Sequence, residues 1–264
     1  MCGNLFPRVR LAGALLLAVF PAAAFAQQSA PAATTPASDG KERDLASQVV
    51  DPTAPLKTLT FQYKEVSSFH GISGHQSEFD FKVSVPFQAW GVGNIFKVTL
   101  PYVTGSSVGP AGLGDTTLFD LAVLPQSWGR LGIGLVTSFG VDRQNGKDTF
   151  SFGPAIGGVL PRGKWTYGLF NQNLFSGDVA ISQFQPILAF TFSPQVSVSM
   201  GDAQFVLDWK KSDFVQIPLG VQVNYITALK GQPIRLFINP QYNLRDRTGT
   251  PEWTTTIGLA LIVR

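Results

Sequence analysis

The chain has 264 residues, 44% of them apolar and only 14% charged, with a formal net charge of +3. Two of those charges, Arg8 and Arg10, belong to the leader described next, which lowers +3 to +1 for the remainder; with no Lys/Arg cluster, this argues against nucleic acid as a partner. The one cysteine, Cys2, precedes that leader's apolar core, so the rest of the chain has no disulfide and no thiolate metal site.

In chain order, Arg8 and Arg10 are followed by the apolar run Leu11–Phe20, then Pro21 and a small-residue stretch ending Ala24-Phe25-Ala26. Charge, short apolar core and A-x-A box, in that order, are a secretory signal, residues 1–26, with cleavage expected between Ala26 and Gln27. Residues 27–56 are rich in Ala, Pro, Ser, Thr and Gln and read as a disordered periplasmic N-terminal linker. Within them, Lys41 to Val50 has the composition of one short helix, stopped by Asp51-Pro52.

After Phe20 no apolar run approaches the length of a membrane helix, yet mean hydropathy is +0.14. An exported, apolar chain without such a helix fits the other structure that satisfies its backbone in lipid, a closed β-barrel. The expected fold for 57–264 is therefore an all-β, up-and-down, antiparallel transmembrane barrel of about twelve strands in the bacterial outer membrane, with outer-membrane lipid as its first partner.

The strands read as 57–64, 78–88, 94–103, 115–124, 130–139, 149–160, 165–175, 181–192, 195–209, 215–227, 233–245 and 253–263. Their period is two. Phe79, Phe81, Val83, Val85 and Phe87 share one face, and Glu78, Asp80, Lys82, Ser84 and Gln88 the other. Segments 215–225, 233–245 and 253–263 alternate in the same way. The segment 195–209 changes parity, from Val196, Val198 and Met200 to Phe205, Leu207 and Trp209; a β-bulge at Gly201-Asp202-Ala203 would restore register, and a hairpin is the alternative. Connections alternate mostly short and long, as periplasmic turns and external loops do. Trp90, Trp128, Trp165, Trp209 and Trp253 fall at strand ends and turns, the positions of an aromatic girdle.

Polar residues with inward parity define the candidate lumen lining: Glu78, Asp80, Lys82, Lys97, Asp120, Arg130, Gln183, Gln185, Asp208, Gln222, Arg235, Asn239, Gln241 and Arg245, with Lys64 and Lys210 beside them. Such groups must face water or one another rather than lipid. The cations outnumber the anions seven to four in this set, which predicts a small conductance with weak anion preference. Gly132, Gly134, Gly153, Ala155 and Gly157 also face inward and would thin the wall. The expected function is a narrow channel for small solutes. The alternatives are a closed barrel that presents loops, and, more remotely, an outer-membrane hydrolase. For catalysis the chain offers only His70 and His75, read as solvated residues of the first outer loop, near Ser67, Ser68 and Ser73. A glycine-containing loop does not give a base the rigidity a triad needs. No enzyme activity, cofactor or metal is expected.

Four short motifs spread over 57–264 carry a resemblance: Gly112-Leu113-Gly114-Asp115 entering a strand, Gln185-Pro186, Pro218-Leu219-Gly220, and Asn239-Pro240-Gln241-Tyr242. In this order the chain resembles the family of outer-membrane barrels named for the MetA pathway of phenol degradation, some of them described as transporters. The resemblance implies passage of small organic or aromatic compounds and supplies no catalytic residues. Gly258, Leu261 and Val263 further resemble the C-terminal signal read by the barrel-assembly machinery, with Val263 where an aromatic residue is usual.

Overall fold

The computed structural model describes residues 45–140 and 150–263. The expected signal, its Ala26–Gln27 cleavage site and the first part of the linker lie outside the described residues. Alternation of apolar and polar side chains drives nearly all of 57–263 into extended strands, because only a closed sheet buries one set and leaves the other on the outside.

The elements are β1 (Lys57–Phe69), β2 (Gln76–Ala89), β3 (Val92–Ser106), β4 (Gly112–Leu113), β5 (Asp115–Gln126), β6 (Gly129–Gly140), β7 (Ser151–Arg162), β8 (Trp165–Phe175), β9 (Ala180–Thr191), β10 (Val196–Ser199), β11 (Phe205–Asp208), β12 (Asp213–Gln216), β13 (Pro218–Gly220), β14 (Gln222–Leu229), β15 (Gln232–Asn243) and β16 (Pro251–Val263). They are preceded by one helical turn, α1 (Leu45–Gln48). Among the described residues the segments combine into twelve antiparallel staves. β4 and β5 form one stave, β10 and β11 another, and β12, β13 and β14 a third. The barrel closes where β16 pairs β1, from Lys57↔Val263 to Val66↔Thr254.

Two of the tight turns show why the short connections sit at one end. Trp90-Gly91 and Lys230-Gly231 both have positive φ at each central residue, 50° and 76°, and 50° and 83°. That is the type I′ geometry whose twist matches a hairpin. These turns share an end with Lys57 and Val263, and the longer connections lie at the other.

The parity change at 195–209 is resolved as a break within one stave. β10 and β11 both pair β9, through Ser197↔Thr191 and Phe205↔Phe184, so the chain keeps its direction and makes no hairpin. Gly201 turns at φ +67 between them, and the chain at 201–204 leaves the ladder.

The outside is apolar. Tyr63, Phe79, Ile133, Leu135, Ile156, Leu169, Tyr225, Leu236, Ile238 and Ile257 are exposed there, each 37 to 63%. A soluble domain would bury such side chains; here the surrounding phase is hydrocarbon. Trp128, Trp165, Trp209 and Trp253 are 41 to 54% exposed, and Trp90 is fully exposed at its turn.

Candidate functional site: the barrel interior

The interior has two unlike walls. One is formed by β1–β3 and β14–β16 and is ionic. Lys64 Nζ lies 2.5 Å from Glu78 and 3.7 Å from Asp80. Gln62 Nε2 donates to Asp80 at 2.6 Å. These contacts follow from register, since Lys64 pairs with Glu78 and Gln62 with Asp80 across the β1–β2 ladder. Asp202, carried inward by the break after β10, reaches Lys82 at 2.9 Å from the far side of the barrel. Gln222 donates to Asn224 at 2.7 Å, and the Arg235 guanidinium stacks on Phe237 at 4.7 Å. Asp80 Oδ1, Asn239 Oδ1 and Arg235 Nε have no protein partner among the described residues.

The other wall, β5–β9, is apolar outside and carries a large apolar cluster inside, beside the polar lining residues Asp115, Gln172, Gln183 and Gln185. Phe119, Leu121, Val136, Ala155, Val159, Phe170, Leu174 and Ile187 form a single buried cluster within the barrel. The expectation that inward glycines thin the wall is corrected here. A Cβ at Gly132 would lie 2.7 Å from Leu121, and one at Gly157 would lie 2.3 Å from the Phe170 ring. Gly132 and Gly157 are the seats of large neighbours, and at Gly134 and Gly153 the backbone of the next strand lies close, so these glycines permit close packing rather than widening the lumen.

Between the two walls lies a cavity of about 640 Å³. Its floor is residues 48–56. This corrects the reading of a disordered linker for residues 45–56, which fold inside the barrel at the short-turn end. Ala46, Asp51, Thr53 and Ala54 are each at most 5% exposed. Asp51 shapes the segment by accepting from Thr53 N at 2.9 Å and Thr53 Oγ1 at 2.6 Å, an Asx turn. Its carboxylate also pairs with Arg130. Lys97 Nζ donates to Pro52 O at 3.3 Å, and Arg235 Nη1 to Val49 O at 2.9 Å. Ser47 and Thr191 share a hydroxyl hydrogen bond at 3.1 Å.

Of the expected lining, Glu78, Asp80, Lys82, Lys97, Gln183, Gln185, Gln222, Arg235, Asn239 and Gln241 do border the cavity. Arg130 faces inward but is covered by Asp51. Three residues are elsewhere. Asp120 pairs with Leu135 and Phe96, both exposed on the outer face, and points outward with them. It is tolerated there because a carboxylate on the lipid face costs less than Arg or Lys. Asp208 caps the turn after β11, accepting from the amides of Lys210 and Lys211 and pairing with Lys211 at 2.8 Å. Arg245 pairs with Asp213 at the outer rim. Lys210 likewise binds Gly177 O there, at 2.7 Å.

Asp115 and Asp202 were missed as lining residues; only the register of β5 and the break after β10 reveal them. The charged groups bordering the cavity are four cations (Lys64, Lys82, Lys97 and Arg235) and five anions (Asp51, Glu78, Asp80, Asp115 and Asp202). That overturns the expected positive excess while the segment is in place.

His70 is also corrected. It is 6% exposed rather than solvated, packs edge-on against Tyr242, and has Nε2 2.9 Å from Asn243 O and Nδ1 3.4 Å from Asp246. One ring nitrogen faces the end of β15 and the other the β15–β16 connection, so the ring ties the first outer loop to the last.

No family model matches the chain. No curated protein matches it in sequence. Among solved structures, the NanC porin superposes with TM-score 0.55 at 11% identity, over 78% of this chain and all of that one. An outer-membrane channel from Pseudomonas putida F1 gives 0.55 at 13% identity, over 79% of this chain and 96% of that one. The KdgM porin gives 0.51 at 11% identity, over 78% and 99%. At such identities the likeness is one of fold, and the fold is that of an outer-membrane β-barrel.

Proposed function

We propose that the chain is an outer-membrane channel for small solutes, held closed in this conformation by residues 45–56. The observation that carries the reading is the unfilled interior. A barrel kept only as a scaffold would pack side chains from all sides; this one keeps a cavity of about 640 Å³ between an ionic and an apolar wall. Twelve staves lie between the eight that side chains can fill and the sixteen that leave a wide aqueous pore. Porins of the same fold support the reading, as do the secretory signal expected at 1–26 and the barrel-assembly pattern at Gly258, Leu261 and Val263. The resemblance to the phenol-degradation family points to organic, aromatic solutes, for which Phe119, Phe170 and Phe237 offer surface.

His70 is committed to Asn243 and Asp246, which leaves no base beside a serine hydroxyl in its contacts. Single-channel recording on the processed protein in a planar bilayer tests the proposal. Brief, small openings are expected. Complete absence of conductance, including after deletion of residues 45–56, would select the closed loop-presenting barrel instead.

A further inference from the structure

Three cations at the short-turn end, Arg130, Lys97 and Arg235, each bind an oxygen of the chain's own N-terminal segment: the Asp51 carboxylate, Pro52 O and Val49 O. The Asp51 side chain is fully buried on Arg130. Lys97 and Arg235 each stand over a ring, Phe119 at 5.7 Å and Phe237 at 4.7 Å. The same place therefore offers a guanidinium already holding a carboxylate, two further donors, and aromatic surface continuous with the apolar wall.

Resting on the channel reading above, we infer that Arg130 with Lys97 and Arg235 is a binding site for the carboxylate of an amphiphilic, apolar-bodied solute. Asp51 occupies that site in the closed conformation, so solute binding and departure of residues 45–56 are one exchange. A neutral solute does not replace a carboxylate on a guanidinium, because the charge-assisted pair is about twice as strong as a neutral hydrogen bond. A carboxylate does, one for one. Asp51 is tethered six residues before β1 and competes at an effective concentration in the millimolar range, so the exchange answers to millimolar carboxylate or to a body that also gains from the apolar wall. Departure also removes one anion from the cavity and uncovers Arg130. The bordering charge then changes from four cations against five anions to five against four.

The test uses the full chain with Cys2→Ser and Ala46→Cys. Ala46 is 0% exposed, so a polar maleimide reaches a cysteine there only when the segment leaves. The probe is benzoate, with benzyl alcohol and sodium chloride of equal ionic strength as comparisons. The open population, and with it the labelling rate, grows as one plus the ratio of ligand concentration to its dissociation constant, roughly tenfold at a ratio of ten. Benzoate is expected to accelerate labelling in this way, and benzyl alcohol and chloride to leave it unchanged. With Arg130→Gln, labelling should be fast from the outset and indifferent to benzoate; with Arg130→Lys, the response should return in part. Heat-modifiable gel migration verifies that each variant is folded. Equal acceleration by benzoate and benzyl alcohol, a benzoate response that survives Arg130→Gln, or no labelling under any condition would each overturn the exchange. Conductance is scored separately. Benzoate-driven labelling without conductance would sink the channel reading and leave the exchange standing; conductance without benzoate-dependent labelling would do the reverse.

Discussion

The two inner walls solve one problem in opposite ways. Along β1–β3 and β14–β16 the inside is largely ionic and the outside apolar, so each strand mostly alternates, and the inward charges are met across the ladder (Lys64 with Glu78), across the bore (Lys82 with Asp202) or by residues 45–56 (Lys97 and Arg235). Along β5–β9 an apolar cluster fills much of the inside and the outside is apolar too: Phe170 and Leu174 are buried within the barrel while Trp165, Tyr167 and Leu169 lie on its outer face. The first wall is specified by pairing and the second by packing. The difference teaches that inward-facing and polar are separate properties in a barrel of this width, where one flank behaves as a protein core.

The largest expected effect lies on the ionic wall. Lys64→Met leaves Glu78 and Asp80 facing each other without their cation, and should cost about 3 kcal/mol or more, as the loss of one partner of a buried pair does. Adding Glu78→Gln and Asp80→Asn should return most of it. Urea titration of the folded barrel in detergent, read by heat-modifiable migration, measures both. If Lys64→Met is silent, pairing does not specify this wall.

Arginine scanning sharpens the comparison next. On the ionic wall, Leu236→Arg faces lipid and should cost about 2–4 kcal/mol more than Gln241→Arg, which faces the cavity. On the apolar wall, Leu169→Arg faces lipid and Phe170→Arg replaces a buried ring of the packed cluster, so both should be severe. Outer-membrane yield together with urea midpoints separates the cases; a tolerant Phe170→Arg would mean that the lumen is wet on this side also.

Gly157→Ala places a methyl group against the Phe170 ring and 2.7 Å from Leu169 O, and should cost about 1–3 kcal/mol as overpacking, relieved in part when Phe170→Leu is added. Additive losses in the double variant would remove the steric explanation. The smallest effect is expected from Asp202→Asn. Its pair with Lys82 involves an Asp202 side chain that is 68% exposed to the lumen, so stability should change by about 1 kcal/mol at most. Its signature should instead be electrical: loss of one bordering anion should shift the zero-current potential under a salt gradient toward anions. A large stability loss with unchanged selectivity would make Asp202 a strut rather than a charged part of the bore.

Much of this architecture was legible before folding was considered. The strand count, the closure, the tryptophans at strand ends and the interruption at Gly201-Asp202-Ala203 all follow from period-two alternation and its single lapse. Most of the candidate lining was legible too, because a charge in a strand with one apolar face has only one place to go. Asp120 shows where that logic stops. In β5 both residue sets are apolar, Phe119, Leu121 and Val123 on one face and Leu118, Ala122 and Leu124 on the other, so parity could not orient the strand and the lone charge misdirected it. Asp208 and Arg245 have inward parity but lie at the outer rim, a matter of height that alternation does not encode.

What the sequence determined by itself is local and repetitive: an extended chain with one lipid-compatible face, cut at intervals by turns, which has no stable form in a membrane except a closed barrel. What only the tertiary structure decided is which distant groups meet inside. Arg130 lies 79 residues from Asp51, and Arg235 lies 186 residues from Val49. The short, proline-interrupted segment 45–56 signals no packing partner, because its ionic partners are single cations on three separate strands, brought together only when barrel closure sets the register. Alternation is a property of neighbours along one strand, whereas the floor of the cavity is a property of the circumference, and no local pattern records it.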